Sequence, residues 1–433
     1  MKRIAAALTG MFAKMGASQV ARGMLKLAFG SGVARLISIA SIPILSRLYT
    51  VEDFGLLSVF SSSMLLLMPL TTFRYAVAIP LPRSESAAFS LVALSGLLIT
   101  ASTIVIGVVL FLFAEPMLSV LGAEKIAPWW WLLVLGSAAG AVYEVLIMWG
   151  TRHRHYGIIA RAQVVQAAMS EAIKIGLGLL SVQPLGLMIG QAVGYSGGTG
   201  RLLRLFQSDF RRLARRTTLY RIKIIARRYI GFPKFRLIAQ IILVLSTQAP
   251  IFFTSAIYGV ESTGNLGLAM MAVSIPFLLI GQAISRSYFG EIAHLALKEP
   301  QRIKSVFYGT LLQLLFISLV PSLILIFFGE PILTFFLGAN WVVAGEMASI
   351  LALMITPQLI SSSLLRTFDV MDKHHQVLYL YIQRFALIAC VYLTAYWLEL
   401  DVLTTLWIYA IVTSLHYGIQ LLAIIKTAKG WWT

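Results

Sequence analysis

The chain has 433 residues, of which 59% are hydrophobic and 12% are charged, and its formal net charge is +18. A soluble protein is about 25% charged, so a chain this apolar cannot hide its side chains in a water-soluble core. The composition excludes a soluble globular protein and indicates an integral membrane protein. The single cysteine, Cys390, excludes an intramolecular disulfide and a cysteine-based metal cluster.

Apolar runs of bilayer-spanning length recur along the whole sequence. A helix needs about 20 apolar residues to cross the hydrocarbon core. Spans are predicted at 28–48, 54–79, 86–113, 127–150, 157–180, 184–205, 236–258, 264–287, 305–328, 341–365, 376–398 and 402–425. Uninterrupted runs of this length favour helices over the alternating strands of a membrane barrel. The sequence thus predicts an all-α integral membrane protein with about twelve transmembrane helices.

Basic and acidic residues alternate between successive loops. Lys and Arg gather near the N-terminus, in the even-numbered loops and at the C-terminal end, and they are densest between 201 and 236. The odd-numbered loops are acidic or nearly neutral, as at Glu52-Asp53 and Glu261. Because cytoplasmic loops carry the excess of Lys and Arg, both termini are predicted to be cytoplasmic. The same rule accounts for the net charge without nucleic acid, and no nucleic-acid recognition motif accompanies that charge.

The pattern divides the chain into five segments. They are a cytoplasmic or interfacial N-terminal segment (1–27), an N-terminal six-helix lobe (28–205), a basic cytoplasmic linker (206–235), a C-terminal six-helix lobe (236–426) and a cytoplasmic C-terminus (427–433). The linker has two interpretations. It is either a topological marker between the lobes or an interfacial helix on anionic lipid, because Phe206, Phe210, Leu213 and Tyr220 alternate with its arginines.

An internal repeat supports the two-lobe division. The sequence FAEPML at 113–118 recurs as FGEPIL at 328–333, and YTVE at 49–52 recurs as YGVE at 258–261. Arg74-Tyr75 likewise has a counterpart in Arg286-Ser287-Tyr288. Each half holds six spans, an even number, so both halves run in the same direction. Parallel repeats of this kind predict two lobes related by a pseudo-twofold axis along the membrane normal, with a cavity between them, which is typical of transporters.

Three stretches carry a resemblance to a known family. They are LSRLYTVEDFG at 45–55, FRYAVAIPLP at 73–82 and LLIGQAISRSYFGEIA at 278–293. They resemble the Wzx-type polysaccharide and O-antigen flippases of the multidrug/oligosaccharidyl-lipid/polysaccharide exporter superfamily. The resemblance implies a substrate, an oligosaccharide repeat unit of O-antigen, capsule or exopolysaccharide on undecaprenyl diphosphate. It also implies movement from the cytoplasmic to the periplasmic leaflet of the bacterial inner membrane, by alternating access of two lobes.

The same resemblance bears on coupling and partners. It implies no organic cofactor, and H⁺ or Na⁺ is the candidate coupling ion. The expected partners are the lipid-linked oligosaccharide and membrane lipids, together with a polysaccharide polymerase and a chain-length regulator. Nucleic acid is not among them.

Charged residues inside the spans are the candidate site, since a charge at mid-bilayer costs about 2.5–3.5 kcal/mol and normally faces a wet cavity or a partner. Arg35 shares a polar helix face with Ser31 and Ser38. Its guanidinium suits phosphate oxygens, although an Arg at this place could instead cap carbonyls or pair with a neighbouring span. Arg35, Arg74, Arg286, Lys174 and Arg366 are therefore the predicted ligands of an anionic diphosphate headgroup.

Each of these residues also has a structural interpretation. Arg74 and Arg286 are either paired cations at the cytoplasmic mouth or snorkelling anchors, and Arg366 and Arg384 could simply flank their spans. Glu171 and Lys174, three residues apart, form either a buried ion pair or a proton-coupled switch. Glu144 could carry the coupling ion or pair with Arg74 or Arg35.

Two other functions remain open at this point. A drug or cation exporter of the same superfamily would want carboxylates, not arginines, at its binding site. A membrane polysaccharide polymerase or ligase would need a long periplasmic loop with catalytic residues, and the sequence has none. There is no Walker A sequence for ATP hydrolysis and no histidine spacing for a metal. The sequence therefore favours a transporter over an enzyme.

Overall fold

The computed structural model describes residues 19–276 and 281–431, and nearly all of these residues are helical. Eight α-helices of the described residues precede residue 237. They are α1 Gln19–Leu48, α2 Val51–Thr72, α3 Glu85–Ser119, α4 Trp130–Arg152, α5 Tyr156–Leu179, α6 Leu185–Ser196, α7 Thr199–Ala214 and α8 Leu219–Arg228. Residues 1–18 of the predicted N-terminal segment lie outside the described residues, and 19–27 form the start of α1.

Eight further helices complete the described chain. They are α9 Leu237–Pro276, α10 Gln282–Lys298, α11 Ile303–Leu337, α12 Val342–Leu351, α13 Ile355–Leu364, α14 Arg366–Val370, α15 His374–Trp397 and α16 Val402–Ala428. Gly259 interrupts α9 with φ 81° and ψ 175°, so two helical spans meet at this residue. This break lies between the predicted seventh and eighth spans.

Nine helical stretches of the described residues are long and apolar enough to cross a membrane. The prediction of an all-α membrane protein is confirmed. The predicted fifth span forms α5, which is not one of these nine stretches. Its 24 residues include Gln163, Gln166, Glu171 and Lys174, so α5 is more polar than the nine stretches. The predicted sixth span was wrong in its extent. It is the 12-residue α6, which ends before Gly198, a residue with φ 86° that L side chains rarely adopt.

The chain forms two compact units. The first comprises the residues up to Leu48, Ser63–Glu115 and Ala127–Gln240, and the second comprises Tyr49–Ser62, Pro116–Ile126 and Ile241–Thr433. The main division thus falls after Gln240, close to the end of the predicted linker. The start of α2 and the end of α3 belong to the second unit rather than to the first.

The two copies of the FxEPxL repeat adopt the same local structure. Both lie near the C-terminal ends of 35-residue helices, α3 and α11, with Pro116 and Pro331 inside the helix. The most apolar window of each helix is 17% buried. A surface of exposed Val, Leu and Phe side chains on both helices suits contact with lipid, because lipid tails are as apolar as leucine.

The second copy pair, YTVE and YGVE, forms a reciprocal contact within the second unit. A Cβ added to Gly55 would lie 1.8 Å from the carbonyl oxygen of Val260, and one added to Gly264 would lie 2.0 Å from that of Val51. Only glycine permits so close an approach of two backbones. Val51 and Gly55 thus face Val260 and Gly264 as a local twofold relation between the repeat copies would place them.

The basic linker forms α7 and α8, which are both amphipathic. Leu202, Phe206 and Leu213 of α7 are buried in a hydrophobic cluster of the first unit that includes Trp149. Tyr75 donates a hydrogen bond of 3.0 Å to the carbonyl oxygen of Ala226 in α8. The arginines of both helices are exposed. The apolar face of α7 therefore packs on protein, and the outer face of the linker presents its positive charge.

Candidate functional site

Arg74 and Glu144 form an ion pair inside the first unit. Arg74 follows the end of α2 with φ 62°, in the left-handed region, and its Nη1 donates to Glu144 Oε1 of α4 at 2.9 Å. Both side chains are 21% exposed. Of the two partners predicted for Glu144, Arg74 is the one the structure brings to it. One N–H donor of the Arg74 guanidinium is therefore bonded to a protein carboxylate.

Glu171 and Lys174 form a second ion pair, buried where α5 packs on α6. The distance from Lys174 Nζ to Glu171 Oε1 is 3.1 Å, and each side chain is 8% exposed. A Cβ at Gly190 would lie 2.3 Å from Lys174 Cγ, so glycine makes room for the lysine stem. Ser170 donates to the carbonyl oxygen of Gly190 at 2.7 Å. The structure therefore places Lys174 in a helix–helix contact and not at an open surface.

Arg35 lies on α1, which packs along α5 in the first unit. Its side chain is half-buried. One turn earlier, Ser31 Oγ hydrogen-bonds Gln163 Oε1 of α5 at 2.7 Å. The predicted polar face of α1 thus meets a polar face of α5, and Arg35 continues it toward the middle of α1.

A polar cavity in the second unit is built around Arg384 of α15. The guanidinium donates from Nη2 to Ser246 Oγ of α9 at 2.7 Å and from Nη1 to the Tyr417 hydroxyl of α16 at 3.2 Å. Its Nε is buried and has no hydrogen-bond partner among the described residues. The ring of Tyr381 lies 5.9 Å from the guanidinium carbon, a distance at which a cation and an aromatic face attract.

The cavity holds about 200 Å³ of space for small molecules. The polar part of its lining comes from hydroxyl and amide groups of Thr247, Gln248, Ser274, Gln358, Tyr409 and Thr413. The rest of the lining is apolar, from Met270, Val273, Leu351, Met354, Ile355 and Leu359. No carboxylate belongs to this lining. A positive charge among neutral hydrogen-bonding groups can bind an anionic or polyhydroxylated ligand, and it disfavours a cation.

The other predicted cations of the second unit lie at its surface. Arg286 of α10 is exposed. Arg366, 58% exposed, donates to Asp369 Oδ2 at 2.9 Å within the short α14. Arg74 and Arg286, which the repeat makes counterparts, therefore have different surroundings, since one is paired and half-buried and the other is exposed.

Within 19–276 and 281–431, no group of three or more His, Cys, Asp or Glu side chains could hold a metal ion. The charged groups of the described spans include two ion pairs, Arg35 on its polar face, and Arg384 in a cavity. These elements can bind and orient a charged, hydrogen-bonding solute within a membrane.

Comparisons with known proteins define the class and the family. The fold is that of membrane transporters of the MOP superfamily. The chain matches the polysaccharide biosynthesis protein family over residues 44–346, which is more than half its length, and it belongs to that family. No curated protein matches the chain.

Solved transporters share this fold at low sequence identity. The lipid II flippase MurJ in an inward closed conformation superposes with a TM-score of 0.61 at 14% identity, over 93% of this chain and 89% of that one. An inward-facing MATE family multidrug resistance transporter gives 0.59 at 14%, over 94% and 98%. A MOP superfamily transporter from Pyrococcus furiosus gives 0.59 at 11%, over 97% and 98%. These structures with the same fold are transporters and a flippase.

The Arg384 cavity is the feature that sequence reasoning undervalued. The sequence allows Arg384 to be a charge that flanks its span, whereas the structure places it as the eleventh of the 24 residues of α15. Its partners, Ser246 and Tyr417, come from other helices and form no sequence motif. A usable signal was the absence of any acidic residue between Asp372 and Glu399, which left Arg384 without a carboxylate on its own helix.

Proposed function

We propose that the protein is a flippase that moves an undecaprenyl-diphosphate-linked oligosaccharide from the cytoplasmic to the periplasmic leaflet of a bacterial inner membrane. Both termini are cytoplasmic in this proposal. The substrate is a repeat unit of O-antigen, capsule or exopolysaccharide, and a gradient of H⁺ or Na⁺ drives its movement. A polymerase and a chain-length regulator would act on the product. The family match and the flippase among the structural neighbours support this assignment.

The observation that carries the proposal is the chemistry of the Arg384 cavity. A guanidinium whose partners are hydroxyls leaves a net positive charge at the site, whereas one paired with a carboxylate forms a pair with no net charge. Sugars offer many hydroxyls and a diphosphate offers several anionic oxygens, and both match a lining of Arg, Ser, Thr, Gln and Tyr. Arg35 of the first unit is proposed to contact an anionic headgroup as well.

A cation or multidrug exporter is the second candidate, and the fold alone allows it. Such a transporter needs membrane carboxylates available for a cationic solute. Glu144 and Glu171 of the first unit are each paired with a protein cation. The Arg384 cavity presents a charge of the wrong sign. These observations favour the flippase.

The test is deletion of the gene in its host followed by analysis of lipid-linked glycans. We expect undecaprenyl-diphosphate-linked oligosaccharide to accumulate on the cytoplasmic side and surface glycan to disappear. Wild-type protein should restore export, Arg384→Gln should not, and Arg384→Lys should restore part of it. Arg211→Gln on exposed α7 is the matched control and should restore export fully. Normal surface glycan in a deletion strain with no second flippase would overturn the assignment.

The same export assay tests the role of Arg35. Arg35→Ala should abolish export while the protein still inserts at normal abundance, and Arg35→Lys should retain part of the activity, because a diphosphate prefers the planar guanidinium but accepts an ammonium. Full export by Arg35→Ala would remove this residue from the binding site. Membrane abundance measured by immunoblot separates loss of function from loss of protein.

A further inference from the structure

A second cationic feature lies in the first unit, away from the ion pairs. It is a groove between the N-terminal part of α1 and the start of α5, with a volume of about 880 Å³. Four cationic side chains line it, and we call these the groove cations: Lys26, Arg154, Arg161 and Arg201. All four are exposed. The positive-inside rule assigns this end of both helices to the cytoplasm.

The close packing of two helices forms the floor of the groove. A Cβ added to Gly30 of α1 would lie 2.6 Å from the Cβ of Ala160 in α5. The two helices therefore touch at small residues, and the larger cationic side chains stand around this contact. Gly157 and Ala160, in the first turns of α5, add little bulk to the lining.

The charge of the groove is not neutralised by protein carboxylates. Among the residues that the structure describes, none of the groove cations forms an ion pair. The chain has no Asp or Glu before Glu52, so the residues that precede α1 cannot supply one. The first turn of α5 also lacks an acidic residue. The N-terminal end of a helix attracts anions, and here the protein itself provides none.

An apolar side runs along the same groove. Phe29 and Val33 of α1 and Ile158, Val164 and Val165 of α5 form this side, and His155 also lines the groove. Phe29 is 76% exposed and Val165 39%. A soluble anion would leave these side chains uncovered. A lipid with an anionic headgroup would contact the cations with its headgroup and the apolar side with its chain.

We propose that the groove binds the diphosphate end of a polyprenyl diphosphate lipid, and that this is where the lipid-linked substrate docks before transport. This inference rests on the proposed function. Four unpaired cations suit a diphosphate, which carries more negative charge than the single phosphodiester of a common phospholipid. The prenyl chain lies along Phe29 and Val165. Docking here brings the lipid to α1, the helix that carries Arg35 two turns further on.

The binding test uses purified full-length protein in detergent and undecaprenyl diphosphate without sugar as the probe. Native mass spectrometry measures its Kd against those of cardiolipin and undecaprenol. We expect the diphosphate to bind at least about tenfold more tightly than cardiolipin, undecaprenol to bind weakly, and the diphosphate affinity to fall with added salt. Equal affinity for cardiolipin would overturn the inference in favour of a general anionic-lipid surface.

Charge variants locate the binding. Arg154→Asn with Arg161→Gln should weaken diphosphate binding by about tenfold or more; Asn is chosen because Arg154 has φ 57°. Lysine at both positions should retain most of the affinity. The matched control, Arg211→Gln with Arg228→Gln on the exposed faces of α7 and α8, removes the same charge and should change the Kd less than twofold. Equal effects of the two pairs would overturn the inference.

A steric variant leaves every charge in place. A Cβ at Gly157 would lie 3.8 Å from Lys26 Cδ, an ordinary contact, so Gly157→Leu fills the groove without a backbone clash. We expect it to weaken binding as the charge variant does. Gly200→Leu is the control, since a Cβ there meets nothing within 4 Å. Unchanged binding by Gly157→Leu would contradict the groove as the site.

The two proposals fail in distinguishable ways. If the groove binds the diphosphate but the deletion strain keeps normal glycan export, the flippase assignment fails and the binding site stands. If the deletion strain loses export but the groove variants bind and export normally, the docking site fails alone. Circular dichroism and monodisperse elution of each variant exclude misfolding as the cause.

Discussion

The partly or fully buried cations of the two units have different hydrogen-bond partners. In the first unit, Arg74 and Lys174 are each neutralised by a carboxylate, from Glu144 and Glu171. In the second unit, Arg384 meets the hydroxyls of Ser246 and Tyr417 and keeps its net charge. An ion pair carries no net charge, so its main effect is to position the helices that it joins. A guanidinium among hydroxyls still attracts an anion, so it is suited to a ligand.

The contrast between the ion pairs and Arg384 also predicts whether a substitution at each site lowers stability or transport. Removing one member of a buried ion pair leaves an uncompensated charge, which is strongly destabilising. Removing a cation whose partners are hydroxyls leaves neutral groups that water can satisfy. Stability should therefore report on the two ion pairs, and transport should report on Arg384.

The largest effect is expected at Glu171 and Lys174. Lys174→Met should lower the free energy of unfolding by about 3–5 kcal/mol, because Glu171 would remain buried without its partner. Thermal unfolding in detergent measures this change. The double variant Glu171→Gln with Lys174→Met should recover most of the loss. A single variant as stable as wild type would show that this pair does not hold α5 against α6.

A smaller effect is expected at Arg74 and Glu144, which are more exposed. Glu144→Gln should cost about 1.5–3 kcal/mol, the range for hydrogen bonds to charged groups. Arg74→Asn is the partner variant, because Asn tolerates the φ of 62° at this position. A double-mutant cycle on unfolding gives the coupling between the two side chains. Strictly additive losses would mean that the observed pair carries no interaction energy.

For Arg384 we expect a small effect on stability and a large effect on export, in contrast to the two ion pairs. Arg384→Gln should change the free energy of unfolding by about 1 kcal/mol or less, since only hydrogen bonds to neutral hydroxyls are lost. Glycan export by the same variant should be abolished. Unfolding and export are measured on the same preparations and strains. A large loss of stability together with retained export would reverse the comparison between the units.

The smallest effect concerns a carboxylate of the second unit that lies at its surface. Asp401 begins α16 and accepts hydrogen bonds from the backbone of Leu403 and Thr404, both at 3.0 Å. The bond to Thr404 holds the pKa of Asp401 below its usual value. Its contribution to stability is therefore present above about pH 4 and lost as the pH falls through the lowered pKa.

Asp401→Asn isolates this contribution. The variant should lose a slight acid-dependent component of stability while its stability at neutral pH stays close to wild type, because Asn also caps helices well. Unfolding midpoints measured between pH 3 and pH 7 would show the difference. An identical pH dependence of the two proteins would assign the acid sensitivity to other carboxylates.

Much of the fold could be predicted because a membrane-spanning helix requires a long apolar run, which is visible in the sequence. The break at Gly259 falls between predicted spans, and the ion pair of Glu171 and Lys174 follows from their spacing of three residues. The extent of α6 could not be predicted from hydropathy. Leucines of α7 continue the apolar pattern beyond Gly198, but they pack on the first unit as one face of an amphipathic helix.

The sites were less predictable, because they depend on residues distant in sequence. Arg74 and Glu144 are 70 residues apart, and Arg384 and Ser246 are 138 apart. A list of intramembrane charges could name such residues. It could not say that Glu144 would meet Arg74, or that Arg384 would lie among hydroxyls. That information comes from helix packing.

The reciprocal contact at Gly55 and Gly264 has a consequence for how this protein can vary. Both positions touch a backbone carbonyl, from Val260 and Val51 respectively, and a backbone cannot be trimmed by mutation. No compensating substitution at the facing residue can therefore make room for alanine. Each glycine should resist replacement by itself, and sequence drift on one helix cannot be answered by drift on the other. The contact fixes the spacing of α2 and α9 independently of every side chain around it.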